Sequence, residues 1–330
     1  MPQTFYEVVW IFLIYAFIGW CTEVSYATLD AGKFVNRGFL NGPYCPIYGI
    51  GVLVVVVILT PLKNSLLILF IGSFVLTSVL EYITGYVLEK VFHNKWWDYS
   101  DKPFNIKGYV CLKFSILWGL ACSFIMLVIH PIVMGFIHII PKTVGIVLLI
   151  ILCSAFFADC VVTVSTILKF NKRLKIMGEI AGKLKVISNE IGENIYENVA
   201  EAIEKKEQFD GTYEEFKTGF TQKKEKLAEN VENRYQKFNN SVQLNIEKKR
   251  AEYEELSKRY KELSEKKIYG HDRLIKAFPG MHSIDNEDSL LKLKEHLMQL
   301  VKNKKNQEEA TYDTEYRHKN YYGKYQRNVY

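Results

Sequence analysis

Residues 144–168 read VGIVLLIILCSAFFADCVVTVSTIL, and residues 169–175 read KFNKRLK. The first stretch holds one carboxylate, Asp159, and no basic side chain; the second gathers Lys169, Lys172, Arg173 and Lys175 directly behind it. A helix needs about 20 mostly apolar residues to cross a hydrocarbon core about 30 Å thick, so the run is long enough to span. Four similar runs precede it, over 5–26, 44–62, 66–88 and 109–137, and none follows. Only helices and closed barrels satisfy every backbone polar group in lipid, and these runs are too long and continuous for barrel strands. The chain therefore reads as all-α: a membrane domain of five transmembrane helices over 1–170, then long cytosolic amphipathic helices of coiled-coil type.

Basic residues in short loops mark the cytoplasmic side. The KFNKRLK flank puts the end of the fifth helix inside, so five spans put the N-terminus outside. Lys33 and Arg37, and then Lys90, Lys95, Lys102 and Lys107, fall on the inner side, leaving Lys63 and Lys142 for the outer connections. The alternative is a re-entrant second run. No basic n-region or small-residue cleavage pattern flanks the first run, so it is expected to stay as an uncleaved helix. The implied location is a plasma membrane, crossed several times, with the C-terminal half in the cytoplasm.

The 330 residues carry a formal net charge of +6. Their mean hydropathy of -0.02 averages an apolar half with a hydrophilic one. That charge suits a protein beside an anionic leaflet and leaves no nucleic-acid footprint. All six cysteines (Cys21, Cys45, Cys111, Cys122, Cys153, Cys160) lie in or beside the apolar runs. This is the usage of small buried residues, not of a disulfide framework. No Cys/His spacing resembles a zinc site, and no metal, cofactor or catalytic residue is expected.

Ionisable groups inside spans are costly and mark functional sites or buried pairs. Glu23, Glu81, Lys113 and Asp159 all fall in the cytoplasmic half of the expected topology, where they can line a polar cavity open to the cytoplasm. Lys113 or Arg37 can balance a carboxylate there. The plainer alternative is that Glu23 and Lys113 only snorkel to the interface. The densest local signal is NRGFLNGPYCPIYGIG, residues 36–51, where glycines and prolines break the chain as it approaches the second helix. It reads either as irregular backbone against a wet cavity or as a tight loop with an N-terminal proline on the helix. Arg37, Asn41 and Tyr48 join the candidate ligand residues, with Gly38, Gly42, Pro43, Cys45, Pro46 and Gly49 as structural positions. The WWDYS and PFNIKG strings at 96–100 and 103–108 suit an interfacial aromatic belt anchored by Trp97; the sharper reading gives Asp98 and Asn105 ligand roles.

Three strings, NRGFLNGPYCPIYGIG, LEYITGYVLEKVFHNKWWDYSDKPFNIKGYVCL and the Trp118-Gly119 pair, occur in the order found in a bacterial family. Over residues 5–170 the chain resembles the family labelled putative ABC-transporter permease type IV, the CmpB-like membrane proteins. RLIKAFP at 273–279 looks like a C-terminal feature of its longer members. The resemblance implies a multi-spanning plasma-membrane protein with a transport role, and carries over no catalytic residues. An ATP-driven pump needs a GxxxxGK[ST] loop, and the nearest string here, Gly178-Glu179-Ile180-Ala181-Gly182-Lys183-Leu184, has the wrong spacing and no hydroxyl after the lysine. Any ATPase is then a separate subunit.

Beyond 170, apolar residues recur every three or four positions among Lys and Glu, with a break expected at Asp210-Gly211 and long helices over 171–268. A short helical region is expected over 269–304, including a helix at 287–302, and a disordered basic, Tyr-rich tail over 305–330. The expected function is a transporter or permease subunit without its own ATPase, with the lipid bilayer and a separate ATPase as partners. The alternative is a scaffold or regulator self-associating through its cytosolic helices; a membrane-embedded enzyme acting on a lipid phosphate is the third reading.

Overall fold

The computed structural model describes residues 2–215, 221–268 and 270–303. They fall into two units, Met1–Leu174 with Lys267–Tyr330, and Lys175–Lys266. In the first unit, α1 (Phe5–Ala31) opens with a capping box in which Thr4 and Glu7 each accept from the other's backbone N–H. It closes at Gly32, whose φ of 63° is left-handed. Next come α2 (Pro46–Leu59) and α3 (Leu66–Phe92), joined through a tight turn at Thr60–Leu62. Helices α4 (Leu112–Phe124) and α5 (His130–Ile139) are joined by a π-type turn at Ile125–Ile129. That turn precedes Pro131, which has no N–H for the helical ladder. Helix α6 (Lys142–Glu215) contributes its first part to this unit.

Among the described residues, four helices are long and apolar enough to cross a membrane: Phe5–Ala31, Leu66–Phe92, Leu112–Ile139 and Lys142–Glu193. The second expected span, 44–62, is the shorter apolar helix Pro46–Leu62. Its α-helical part, the 14 residues of α2, measures about 21 Å at 1.5 Å per residue. The shortening has a local cause. Tyr44 packs edge-on against Phe156, and the Cys45 N–H bonds the Ala16 carbonyl in the middle of α1. The chain thus starts α2 partway along α1, at Pro46, where a missing N–H costs nothing.

Trp10, Ile11, Tyr15 and Ala16 of α1 form the core with Val52, Val55, Val56 and Leu59 of α2 and with Leu69, Met126, Ile137 and Leu149. Close approach of α1 and α2 rests on two glycines. A side chain at Gly19 would meet the Tyr48 ring at 2.3 Å, and one at Gly49 would meet the Phe12 carbonyl at 2.6 Å. On α3, Leu67, Ile71, Val75, Val79, Ile83 and Val87 form an exposed stripe at four-residue spacing. So long an unbroken apolar face is the surface a helix offers to lipid rather than water.

Glu7 meets His138 at 3.1 Å at one end of the bundle. The opposite end carries the 32–45 segment, the α3–α4 connection and a C-terminal cap. The connection holds β1 (Asn94–Lys95) and a hairpin of β2 (Asn105–Ile106) with β3 (Val110–Cys111). The cap comprises α8 (His271–Ala277), β4 (His282–Ser283) and a helix over 287–303. β4 pairs antiparallel with β1, placing Asn94 opposite Ser283 and Lys95 opposite His282. Trp96 packs on Phe39, Phe92 and Phe278, joining three segments in one aromatic cluster. Gly270, at a φ of 87°, lies against Thr166, and the His271 ring sits edge-on to Phe170. Residues 270–303 thus pack within the first unit.

The second unit contains the rest of α6 and α7 (Thr221–Glu265). Glu190 and Lys249 pair at 3.0 Å, setting these helices side by side there. Helix α6 passes through 168–171 without interruption and continues through Asp210-Gly211, where a break is expected, to Glu215. One glycine costs a helix only about 1 kcal/mol, too little to end one carried by its neighbours on both sides. The 305–330 tail lies outside the described residues.

His271 provides a pH-dependent latch for the cap. Burial, reinforced by the positive charges of Arg173 and Lys169, pushes its imidazole down to about 4. A base held below its unfolded pKa of about 6.5 stabilises docking above that pH, and the contribution is lost as pH falls toward about 4. Amide exchange over 270–284, corrected for intrinsic rate, is expected to be flat above about pH 6.5 and to rise from there toward about pH 4. The rise should be absent in His271→Leu; a wild-type profile identical to that variant's would contradict the latch.

Candidate functional site

The segment 36–45 is not helical, yet it runs alongside α1 and α6 inside the bundle, so its backbone polar groups need partners. Four side chains or carbonyls provide them. Asn36 accepts from Trp20 Nε1 at 2.8 Å and from the Gly38 N–H, and donates to the Asn41 carbonyl at 2.7 Å. Asp159 of α6 accepts from the Asn41 N–H at 3.1 Å and the Gly42 N–H at 2.7 Å, and also from the Asn41 and Thr163 side chains. Arg273 of α8 donates to the carbonyls of Gly38, Phe39 and Leu40, at 2.8, 3.1 and 3.1 Å. Ala16 receives the Cys45 N–H. Gly38 leaves room for Trp20 and Gly42 for Asp159, since an added Cβ would come within 2.8 and 3.0 Å of them. Pro43 turns the chain and Cys45, buried, precedes Pro46 at the start of α2.

This lead-in places Tyr48 over Gly19, with its hydroxyl 2.5 Å from Glu23 Oε1 and its ring edge-on to Trp118. The other oxygen of Glu23 pairs with Arg37 Nε at 3.3 Å, and the Arg37 guanidinium lies over the Tyr26 ring at 5.1 Å. Glu81 enters from α3 and is only 9% exposed; its Oε2 is buried without a hydrogen-bond partner among the described residues. The Tyr99 hydroxyl faces that carboxyl, and the Tyr99 ring stacks on Phe114. Burial raises the Tyr99 phenol above its ordinary range, and the charges of Glu81, Cys111 and Glu23 add to this against Arg37. Glu23, Arg37 and Tyr48 are thus joined by direct contacts.

The other candidates sit elsewhere. Asp98 and Asn105 knit the α3–α4 connection. Asp98 accepts from Lys95, at 2.9 Å, and from the backbone and hydroxyl of Ser100. Burial opposes ionisation of Asp98, but the Ser100 bonds and the Lys95 ammonium outweigh it and hold the carboxyl below its ordinary range. Asn105 donates to the carbonyls of Ser100 and Lys102 and accepts from Gly108, whose φ of 72° closes the loop. Trp97 bonds the Tyr109 carbonyl. Lys113 is exposed on α4. Asp159 and Asn41 serve the lead-in segment. Sequence reasoning singled out neither Tyr99 nor Arg273 as a site residue. Their signals were the aromatic after Asp98 and the lone arginine of the RLIKAFP string, and neither points to its partner without the fold.

Residues 10–164 match the family model described as "Putative ABC-transporter type IV", the family that the sequence motifs resemble. Neither a curated protein nor a solved structure matches the chain. The match contains Glu23, Arg37, Tyr48, Glu81, Tyr99 and Asp159, whereas Arg273 and the cap lie beyond it. Over these residues the chain is similar to that family, and four helices among the described residues are long and apolar enough to cross a membrane.

Asp159 differs from Glu81 in what its loss should do. Asp159→Ala strands two backbone N–H groups in the bundle, at about 1–3 kcal/mol each. A marked drop in the thermal midpoint of the detergent-solubilised protein is expected, with partial recovery in Asp159→Asn, whose amide oxygen can accept one of the two bonds. An unchanged midpoint in Asp159→Ala would show that the lead-in segment is held by other contacts.

Proposed function

We propose that the chain is a transport subunit whose five apolar segments cross a bacterial plasma membrane. The N-terminus is outside, and both the cap and the Lys175–Lys266 unit are in the cytoplasm. The observation that carries this reading is the buried Glu81 carboxyl of α3, which the membrane unit holds in addition to the Glu23–Arg37–Tyr48 cluster. An ionised or ionisable group at such depth is expensive, and membrane proteins use it where a polar species must pass or bind. The cluster lies toward the end of the bundle that bears Lys33, Lys90, Lys95, Lys102 and Lys107, the end the charge bias assigns to the cytoplasm. Although α2 is short, it is flanked by protein on the sides formed by Val52, Val55 and Val56. It therefore does not need to match the lipid thickness alone, and its lead-in completes the crossing.

The reading is of a subunit driven by a separate ATPase or by an ion gradient; the nearest string to a phosphate-cradling loop, at 178–184, has the wrong spacing, so any ATPase is another subunit. A second reading is favoured by the paired helices of the other unit, held by Glu190 and Lys249: a scaffold that recruits partners or a second copy by coiled-coil contact. Purification from its native membrane in mild detergent, followed by mass spectrometry, separates the two. A stoichiometric ATP-hydrolysing subunit is expected. A homo-oligomer with no ATPase, retained by the membrane unit only while residues 175–266 are present, would replace the transport reading with the scaffold.

A further inference from the structure

We infer that the hairpin tip bearing Phe104 and Ile106 is a wedge seated in the headgroup layer of the membrane, where Lys102, Lys107 and Lys113 select anionic lipid. The inference rests on the transport reading only for its premise that the bundle crosses a membrane. Trp96 is buried in the aromatic cluster, and Trp97 turns its indole N–H to the Tyr109 carbonyl. The large apolar side chains that the α3–α4 connection leaves exposed are Phe104 and Ile106, at 79% and 58%. A loose loop is not the cause. Asn105 donates to the Ser100 and Lys102 carbonyls, the Tyr99 N–H reaches the Gly108 carbonyl at 2.8 Å, and the Tyr109 N–H reaches the Ile106 carbonyl at 3.1 Å. Phe104 itself has a φ of 53°, a left-handed conformation that bulky side chains avoid. Strain of this kind persists only where surrounding bonds enforce it, and here it accompanies a ring turned away from the protein.

Two observations point to lipid as what covers the tip. The first is position. The Phe104 carbonyl accepts from the Leu112 N–H at 3.3 Å, so the tip lies against the first residue of α4. Leu112, Ile116, Leu120 and Phe124 form an exposed stripe at four-residue spacing, the kind of face a spanning helix turns to hydrocarbon. Phe104 therefore stands at the foot of that stripe, at the level where a span leaves the hydrocarbon core and aromatic rings collect. The second is charge. Lys102, Lys107 and Lys113 are exposed, and no ion pair engages them among the described residues; Asp101, also exposed, offsets one of the three. Basic side chains flanking an inserted apolar tip attract anionic headgroups, and a lysine at the start of a span reaches the same layer with its ammonium.

The test uses the full chain in nanodiscs of equal parts phosphatidylcholine and phosphatidylglycerol, with one lipid or the other brominated near the head of its acyl chains. Phe104→Trp adds a tryptophan to the five native ones, whose emission is subtracted using the wild type. The added emission is expected to be quenched by either brominated lipid, and at least about twofold more by brominated phosphatidylglycerol. Ile106→Trp should report the same, so the result does not hang on the folding of one variant. With Lys102→Gln, Lys107→Gln and Lys113→Gln combined, the preference should vanish while quenching by both lipids persists. Added emission that neither lipid quenches overturns the inference, whether the ring then lies in water or under a second copy or another protein. Equal quenching by the two lipids, unchanged by the lysine substitutions, overturns the selection of anionic lipid. Absence of a co-purifying ATPase would bear on the transport reading and leave these outcomes as they stand, so the two failures are told apart.

Discussion

Segment 36–45 has no helix to satisfy its backbone, yet it lies among helices whose outer faces are apolar. In such a setting each unpaired amide or carbonyl costs several kcal/mol, because no water is there to replace the missing partner. The rest of the membrane unit is arranged around meeting that requirement. Asp159 comes from α6 to take two amides, Arg273 comes from the far C-terminal part of the chain to take three carbonyls, and Asn36 and Ala16 complete the set. Asp159 and Arg273 are charged and Ala16 lies within α1, which makes their bonds strong enough to hold irregular backbone in place.

That arrangement has a consequence for the polar cluster. Tyr48 lies just inside α2, so the height at which α2 begins sets where its hydroxyl points. The Cys45–Ala16 bond and the fit of Tyr48 over Gly19 aim it at Glu23. Glu23 in turn holds Arg37, the residue next to Asn36, so the loop and the cluster share one framework. The cap contributes from the other side: Trp96 packs between Phe39 and Phe278, and β1 pairs with β4. The α3–α4 connection that bears Tyr99 is therefore tied to the same cap that supplies Arg273.

How much of this could be read from the sequence depended on whether the signal was local. The apolar runs, the Pro46 start and the depth of Glu23, Glu81 and Asp159 follow from spacing and residue type alone. The run at 44–62 reads as helix from its first residue because hydropathy does not register that Tyr44 packs on Phe156 of α6 and that Cys45 bonds Ala16 of α1. The partners of Asp159 were hidden for a similar reason: Asn41 and Gly42 lie more than a hundred residues away. Asp210-Gly211 suggested a break, but propensity at two positions is weak against the cooperativity of a 74-residue helix. Arg273 was visible only as part of a string, and no periodicity could say that it caps a loop at the other end of the chain.

The central claim is that the lead-in to α2 is ordered backbone buried in the bundle. Amide hydrogen exchange of Asn41 and Gly42, measured in nanodiscs on the full chain, tests it most directly. The account predicts protection comparable to that of the amides of α1 around Ala16. Exchange at the rate of an open, solvated loop would contradict it.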